Sequence, residues 1–195
     1  MQLQQNLTPI ILASGSPRRK ELLSLMGVPF EVVNLNTDES CDGSPKDRVC
    51  ILAQRKAKEV QKLHSNRLIL AADTLVVRNG QVLGKPISIE DAVNMLLSLS
   101  NGWHEVYTGV CINDGISGRI CSAYDMTRVR FSLLDEQTAQ AYVKTGEPMD
   151  KAGAYAIQGR GGMFVEEIHG SSSNVIGLPM ALVRKMLKDF NISIF

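Results

Sequence analysis

Short apolar runs alternate along this chain with segments whose apolar residues recur at helical spacing. The run "IILA" precedes a helical segment that begins after Ser16, and the run "LILAAD" follows one that begins after Ser44. Both serines are good N-caps, and the proline after each suits the first helical position. Two later runs flank Asn79-Gly80, a typical hairpin turn. This pattern predicts an α/β fold with a mixed sheet rather than a purely parallel one.

The rest of the chain continues the same alternation. Helices are predicted after Ser88, in the segment that ends at Gly146, and in the last segment, from Pro179. Strands are predicted in "FEVVNLN", "HEVYTGVCIND", "YDMTRVRFS" and "GMFVEEIHG". No repeat, low-complexity tract or linker interrupts the sequence, so residues 1–195 are predicted to form a single domain.

Composition and charge are typical of a globular protein without a broad basic surface. Hydrophobic residues make up 44% of the chain and charged residues 21%, as in ordinary folded domains. The formal net charge is +1, so any basic site must be local. We therefore expect no nucleic-acid partner, because such partners require an extended cationic surface.

The cysteines and the N-terminus predict a cytoplasmic location. The four cysteines form no C-x-x-C pair and have no histidine at zinc-ligand spacing, so we expect free thiols in a reducing compartment: Cys41, Cys50, Cys111 and Cys121. The N-terminal residues lack the pattern of a signal peptide. No run of about 18 apolar residues is present, so no membrane association is expected.

A cluster of basic residues opens the first helical segment. Arg18, Arg19 and Lys20 follow a Ser-Gly-Ser-Pro turn, where free N–H groups lie at the positive end of the helix dipole. Cations oppose that dipole, but a bound anion would offset the repulsion, and the arginine fork suits phosphate. These residues alone leave two interpretations open, a phosphate site and an ordinary solvated helix start.

A carboxylate follows the buried strand predicted over residues 68–72. Because carboxylates are costly in an apolar core, the position of Asp73 predicts that it is a metal ligand or a general base. The alternative is a turn-forming aspartate. Glu39 and Asp38 follow the second strand, Lys56 lies in the long helix, and Lys85 stands between a glycine and a proline. These side chains would supply acidic ligands for a hard cation and cations for phosphate oxygens.

The glycine-rich stretch "DKAGAYAIQGRGG" predicts a close approach between backbone and ligand, with a flexible loop as the alternative. Gln158 within it carries an amide, whose adjacent donor and acceptor suit a planar base that presents the same pair reversed. Signature motifs of other chemistries are missing from the sequence: the P-loop, G-x-S-x-G and a G-x-G-x-x-G in Rossmann register.

An ordered set of motifs from Ile10 to Leu187 resembles the Maf family of nucleoside triphosphate pyrophosphatases: "LASGSPRRKELL", "DE", "LAQRKA", "AADTLV", "GKP", "HEVYTGV", "DKAGAYAIQGRGG" and "GSSSNVIGLP". The resemblance implies an elongated mixed sheet flanked by helices, with two lobes around a nucleotide cleft, as in inosine triphosphatases. It implies hydrolysis of nucleoside triphosphates to the monophosphate and pyrophosphate, as house-cleaning of non-standard nucleotides. It also implies dependence on Mg²⁺ or Mn²⁺, and a homodimer.

The resemblance also assigns roles to individual residues. Asp73 matches the family's catalytic proton acceptor, and Glu39 joins it as a metal ligand. Three residues match positions tied to substrate choice: Arg18, Thr74 and Gln158. Four more match the phosphate surroundings: Ser14, Arg19, Lys56 and Lys85.

The glutamine at position 158 favours dTTP and UTP as substrates, because a guanine edge presents two donors that a carboxylate would complement better. Two alternatives stay open. One is the related activity on 7-methyl-GTP, and the other is a nucleotide-binding regulator of cell division and septum formation.

Overall fold

A computed structural model describes residues 8–194 of the protein. Its helices are α1 (Pro17–Leu25), α2 (Pro45–Leu63), α3 (Ile89–Leu99), α4 (Glu136–Val143), α5 (Ser172–Ile176) and α6 (Met180–Asp189). Its strands are β1 (Ile10–Ala13), β2 (Phe30–Val33), β3 (Leu68–Arg78), β4 (Gln81–Leu83), β5 (Trp103–Asp114), β6 (Ile120–Phe131) and β7 (Val165–His169). Three short 3₁₀ turns span Glu147–Asp150, Ala152–Ala154 and Arg160–Phe164. The expectation that no signal peptide is present rests on the N-terminal residues, and most of these lie outside the described residues.

The strands form one mixed sheet in the order β2-β1-β3-β5-β6-β7, with β4 paired to β3. Strand β1 runs parallel to both β2 and β3, and Ile11 lies opposite Glu31 on one side and Ile69 on the other. Helices α1 and α2 make the crossovers that parallel strands require. The pairs β3–β4 and β6–β7 are antiparallel. The prediction of an α/β fold with a mixed sheet is confirmed.

The predicted helix starts are confirmed, because each cap is a local hydrogen bond. Ser16, Ser44 and Ser88 accept from the backbone N–H three residues on, and Pro17 and Pro45 open their helices. The predicted Asn79-Gly80 hairpin is confirmed as well, since φ is +50° at the asparagine and +78° at the glycine, as a type I′ turn requires. The separate helix α5 was not predicted.

Strand β3 is longer than predicted. The sequence pattern ends this strand before Asp73 and begins a separate hairpin strand at Thr74, whereas β3 is one strand that continues to Arg78. Leu75, Val76 and Val77 are buried and extend the apolar run beyond the carboxylate. Asp73 therefore lies in the middle of a strand rather than at its end.

The described chain divides into two compact units, each built from separate segments. The first unit contains the described residues up to Asp73, then Gly109–Tyr124 and the residues from Gly177 on. Its core includes Ile11, Ala53, Ala57, Ile69 and Cys111. The second unit contains Thr74–Thr108 and Asp125–Ile176, and its core includes Leu96, Val129, Phe131, Tyr155 and Phe164.

Two further expectations can be compared with the described residues. The four cysteines are free thiols, as predicted. Within residues 8–194, no helix is both long enough and apolar enough to cross a bilayer.

Candidate active site

Two carboxylates of the first unit converge on one ammonium group. Lys56, on α2, donates from Nζ to Asp73 Oδ1 at 2.6 Å and to Glu39 Oε1 at 2.9 Å. Asp73 is only 6% exposed, whereas Glu39 lies in the exposed segment after β2. A buried carboxylate is tolerated when it is paired, and Lys56 provides that partner. The alternative of a turn-forming aspartate is wrong, because Asp73 lies inside β3.

The turn after β1 holds Arg19 in a fixed position. Ser14 is buried, and its Oγ accepts from the Ser16 N–H at 3.1 Å and from Arg19 Nη1 at 3.4 Å. Arg19 Nε donates to the carbonyl of Gly177 at 2.8 Å. Bonds on two sides of the guanidinium restrict its rotation, which prepares its planar fork for an anion.

The electrostatics of Arg19 show that the charged residues of the first unit lie close together. Burial lowers the pKa of Arg19, and the neighbouring Arg18 lowers it further. Asp73 and Glu39 act in the opposite direction and raise the pKa. Two adjacent arginines, one of them poorly hydrated, beside two carboxylates and Lys56 form a site suited to a polyanion that brings a metal ion.

The candidate residues of the second unit occupy three different segments. Thr74 follows Asp73 in β3, and its Oγ1 shares a 2.9 Å hydrogen bond with Thr108 Oγ1. Lys85 is exposed just after β4, and Gln158 is exposed between two 3₁₀ turns. The N–H of Gly153 donates to the carbonyl of Gly84 at 3.0 Å, which joins the "GKP" and "DKAGAYAIQG" segments.

The glycine-rich stretch is ordered by packing. Gly153 has φ of +69°, and a Cβ there would lie 2.9 Å from Val76 Cγ1. Only a residue without a side chain allows this approach at low cost. The alternative of a flexible loop is therefore wrong for the part of the stretch that forms 3₁₀ turns, Ala152–Ala154 and Arg160–Phe164.

The structure thus distributes the predicted site residues between the two units. The first unit brings together Ser14, Arg18, Arg19, Glu39, Lys56 and Asp73. Thr74, Lys85 and Gln158 belong to the second unit.

The donor set in the first unit fits a divalent cation. Mg²⁺ is commonly held by one or two carboxylates together with substrate phosphates, and Glu39 and Asp73 already converge on the positive charge of Lys56. No three His, Cys, Asp or Glu side chains cluster as a metal site in the part of the chain that the structure describes. Water or substrate oxygens would therefore complete the coordination of a metal held here.

Comparison with known proteins identifies the family of this chain. A family model described as Maf-like protein matches residues 9–190. The chain belongs to the Maf family. The resemblance found in the sequence motifs is thereby confirmed, together with the fold class.

Several curated relatives match nearly the whole chain. A protein of Pelotomaculum thermopropionicum is 46% identical over 187 residues, which are 95% of this chain and 98% of the relative. A protein of Bacillus cereus (strain ATCC 10987) is 45% identical over 192 residues, covering 97% and 94% of the two chains. One of Bacillus anthracis is 46% identical over 187 residues, covering 95% and 97%. All three relatives are named dTTP/UTP pyrophosphatase.

Several residues that contact the candidate residues of each unit were not predicted from the sequence. The backbone carbonyl of Gly177 accepts a hydrogen bond from Arg19. The backbone carbonyl of buried Asn174 accepts one from Thr108 Oγ1 at 3.0 Å. Glu147 binds the backbone beside Gln158. The asparagine after three serines and the glycine before Leu178 mark a turn, but nothing in their spacing indicates these partners.

Proposed function

We propose that this chain hydrolyses dTTP and UTP, and modified pyrimidine nucleoside triphosphates, to the monophosphate and pyrophosphate. In this role it removes non-standard nucleotides. The observation that carries the proposal is the group around Lys56, where Asp73 and Glu39 share one ammonium close to Arg19. Named dTTP/UTP pyrophosphatases that are about 46% identical to this chain support the same activity.

In the proposed reaction, Asp73 accepts a proton from water, and that water attacks the α-phosphorus. The bond from the α-phosphorus to the bridging oxygen breaks, and pyrophosphate leaves. A divalent cation held by Glu39 and Asp73, Mg²⁺ or Mn²⁺, would neutralise phosphate charge during this step. Burial keeps Asp73 in a defined orientation, which general-base catalysis requires.

Basic residues would bind the phosphates in this scheme. Arg18 and Arg19 offer planar forks, and Ser14 keeps Arg19 in place. Lys56 already holds an oxygen of Asp73 and would orient that carboxylate toward the water. Lys85 is exposed, and as a compact cation it would stabilise the charge that develops on the leaving pyrophosphate.

Gln158 would choose the base. Its amide would donate to O4 and accept from N3–H of uracil or thymine, and Arg18 and Thr74 would contribute to the same choice of substrate. Cytosine reverses both groups on this edge, so rejection of CTP requires that the amide of Gln158 cannot flip. A glutamate at this position could still accept from N3–H, but it would place a second acceptor against O4 and leave O4 without a donor.

The test is pyrophosphate release from UTP, dTTP, CTP, GTP, ATP and 7-methyl-GTP. Wild type should prefer UTP and dTTP, and Gln158→Glu should lower kcat/KM for both by about 10- to 100-fold, the effect of an unpaired polar group. Gln137→Glu is the matched control, because Gln137 is exposed on α4 of the same unit. Faster turnover of 7-methyl-GTP by wild type would indicate the related guanine activity instead. Binding of UTP without release of pyrophosphate would indicate a regulator.

Two further properties complete the proposal. A cytoplasmic location is supported by four free thiols, which persist in a reducing compartment. The homodimer stays a prediction from the family resemblance, and light scattering on the purified protein measures it directly.

A further inference from the structure

The carboxylate of Glu147 binds three donors in the second unit. Its Oε1 accepts from the hydroxyl of Tyr142 at 2.7 Å and from the Gly161 N–H at 3.1 Å. Its Oε2 accepts from the Arg160 N–H at 3.1 Å. Charged acceptors make stronger hydrogen bonds than neutral ones, so this carboxylate is a firm anchor for the backbone at 160–161.

Tyr142 extends the same anchor to the other side of Gln158. Its hydroxyl accepts from the buried Ala156 N–H at 3.3 Å, and its ring packs edge-on against Phe164 at 5.1 Å between centroids. The backbone is therefore bound both before and after Gln158, at Ala156 and at Arg160.

Gly159 closes the space around the carboxylate. A Cβ at this position would collide with the carboxylate oxygens of Glu147. The backbone next to Gln158 thus packs directly on the anchor, and any displacement of Glu147 moves the segment that carries the amide.

The protonation states favour this arrangement. Burial raises the pKa of Glu147, but the hydroxyl of Tyr142 and the N–H groups of Gly161 and Arg160 outweigh it, so the pKa lies below its usual value. Burial and the bond to Glu147 raise the pKa of Tyr142. Glu147 therefore remains an acceptor, and Tyr142 a donor, at neutral pH.

We propose that Glu147, with Tyr142, is a positioning residue that fixes Gln158 for recognition of the pyrimidine base. The proposal rests on the base-reading role of Gln158 given above. The anchor fixes the position of the backbone from which the amide of Gln158 reaches the base. Neither residue touches the base in this scheme.

The decisive variant is Glu147→Gln. The amide has one oxygen for three donors, so its NH₂ group must face a backbone N–H or the Tyr142 hydroxyl. The segment loses at least one charged hydrogen bond, and the ratio of kcat/KM for UTP to that for 7-methyl-GTP should fall about 10-fold. The loss should appear mainly as a higher KM for UTP, since the catalytic carboxylate is unchanged. Glu136→Gln, an exposed carboxylate on α4, is the matched control and should keep the wild-type ratio.

Tyr142→Phe is a second, milder variant that keeps the two backbone bonds of Glu147. It should lower the same ratio by a smaller factor, and it tests the proposal even where Glu147→Gln folds poorly. The double variant Glu147→Gln/Gln158→Glu tests whether Glu147 changes the substrate ratio through Gln158. If Glu147 acts through Gln158, its substitution should change the ratio little once Gln158 is a glutamate.

The outcomes separate this proposal from the one on which it rests. An unchanged ratio in Gln158→Glu overturns the base-reading role and, with it, the positioning role. A changed ratio in Gln158→Glu, with wild-type ratios in both Glu147→Gln and Tyr142→Phe, overturns the positioning role alone. An equal effect of Glu147→Gln with and without Gln158 also overturns it, because the residue would then act by another route.

Discussion

A buried histidine should make the stability of the second unit depend on pH. His104 is 2% exposed, its Nε2 shares a 2.8 Å hydrogen bond with the Tyr155 hydroxyl, and its ring packs against Phe131. Burial, and to a smaller extent Arg78, lower the pKa of His104 from its ordinary 6.5 to about 3. The folded protein therefore keeps this imidazole neutral at pH 5, whereas the unfolded chain protonates it.

The difference between the folded and unfolded pKa values of His104 sets the sign and the size of the change in the free energy of unfolding with pH. The unfolded state binds more protons below pH 6.5, so the free energy of unfolding falls as the pH decreases from 6.5 toward 3. A pH of 5 is about 1.5 units below the pKa of the histidine in the unfolded chain, and each unit corresponds to about 1.36 kcal/mol. His104 alone should therefore destabilise the fold by about 2 kcal/mol at pH 5 relative to pH 8. At pH 5 the carboxyl groups with lowered pKa values remain ionised and do not obscure the effect.

The perturbation is the double variant His104→Phe/Tyr155→Phe. Removing both members of a buried hydrogen bond avoids an orphaned hydroxyl, so stability at pH 8 should change by no more than about 1 kcal/mol. Urea unfolding at pH 8 and pH 5 is followed by circular dichroism rather than by the fluorescence of Trp103, because the Trp103 ring contacts His169 and would respond to its replacement. The double variant should lose about 2 kcal/mol less than wild type between the two pH values.

The matched control is His169→Gln, since the side chain of His169 is 59% exposed. This variant should keep the full pH dependence of wild type. If wild type and the double variant lose the same free energy of unfolding between pH 8 and pH 5, with unchanged urea m-values, then His104 is protonated in the folded state at pH 5 and does not cause the pH dependence.

The remaining predictions concern the candidate active site. Asp73→Asn should lower kcat for UTP hydrolysis by about 10²- to 10⁴-fold with wild-type circular dichroism, whereas Asp189→Asn, an exposed substitution on α6, should leave it unchanged; near-normal activity of Asp73→Asn excludes the general-base role. Arg18→Ala should raise KM for UTP more than Arg184→Ala, an exposed arginine on α6, and equal effects would mean that the first helix start is merely solvated. Chelation by EDTA should abolish pyrophosphate release and added Mg²⁺ or Mn²⁺ should restore it, and activity that survives chelation contradicts the metal requirement.

Much of the fold follows from local sequence signals. Helix starts depend on hydrogen bonds three residues apart, and Ser16, Ser44 and Ser88 could therefore be read directly from the sequence. The hairpin at Asn79-Gly80 is equally local. The extent of β3 could not be predicted from local signals. A carboxylate inside a buried strand is stable only with a partner, and that partner, Lys56, lies 17 residues away.

The residue types at the candidate site also followed from the sequence, through ordered motifs that are specific to the Maf family. The hydrogen-bond partners of these residues could not be predicted from the sequence. Arg19 is held by a carbonyl 158 residues later in the chain, and Glu147 binds backbone groups 13 and 14 residues away. Backbone donors and acceptors are the same for almost every residue type, so no sequence pattern identifies which of them a side chain will meet. The sequence alone therefore determined the elements and the chemical groups, whereas tertiary packing decided which charges are buried, paired and held in place.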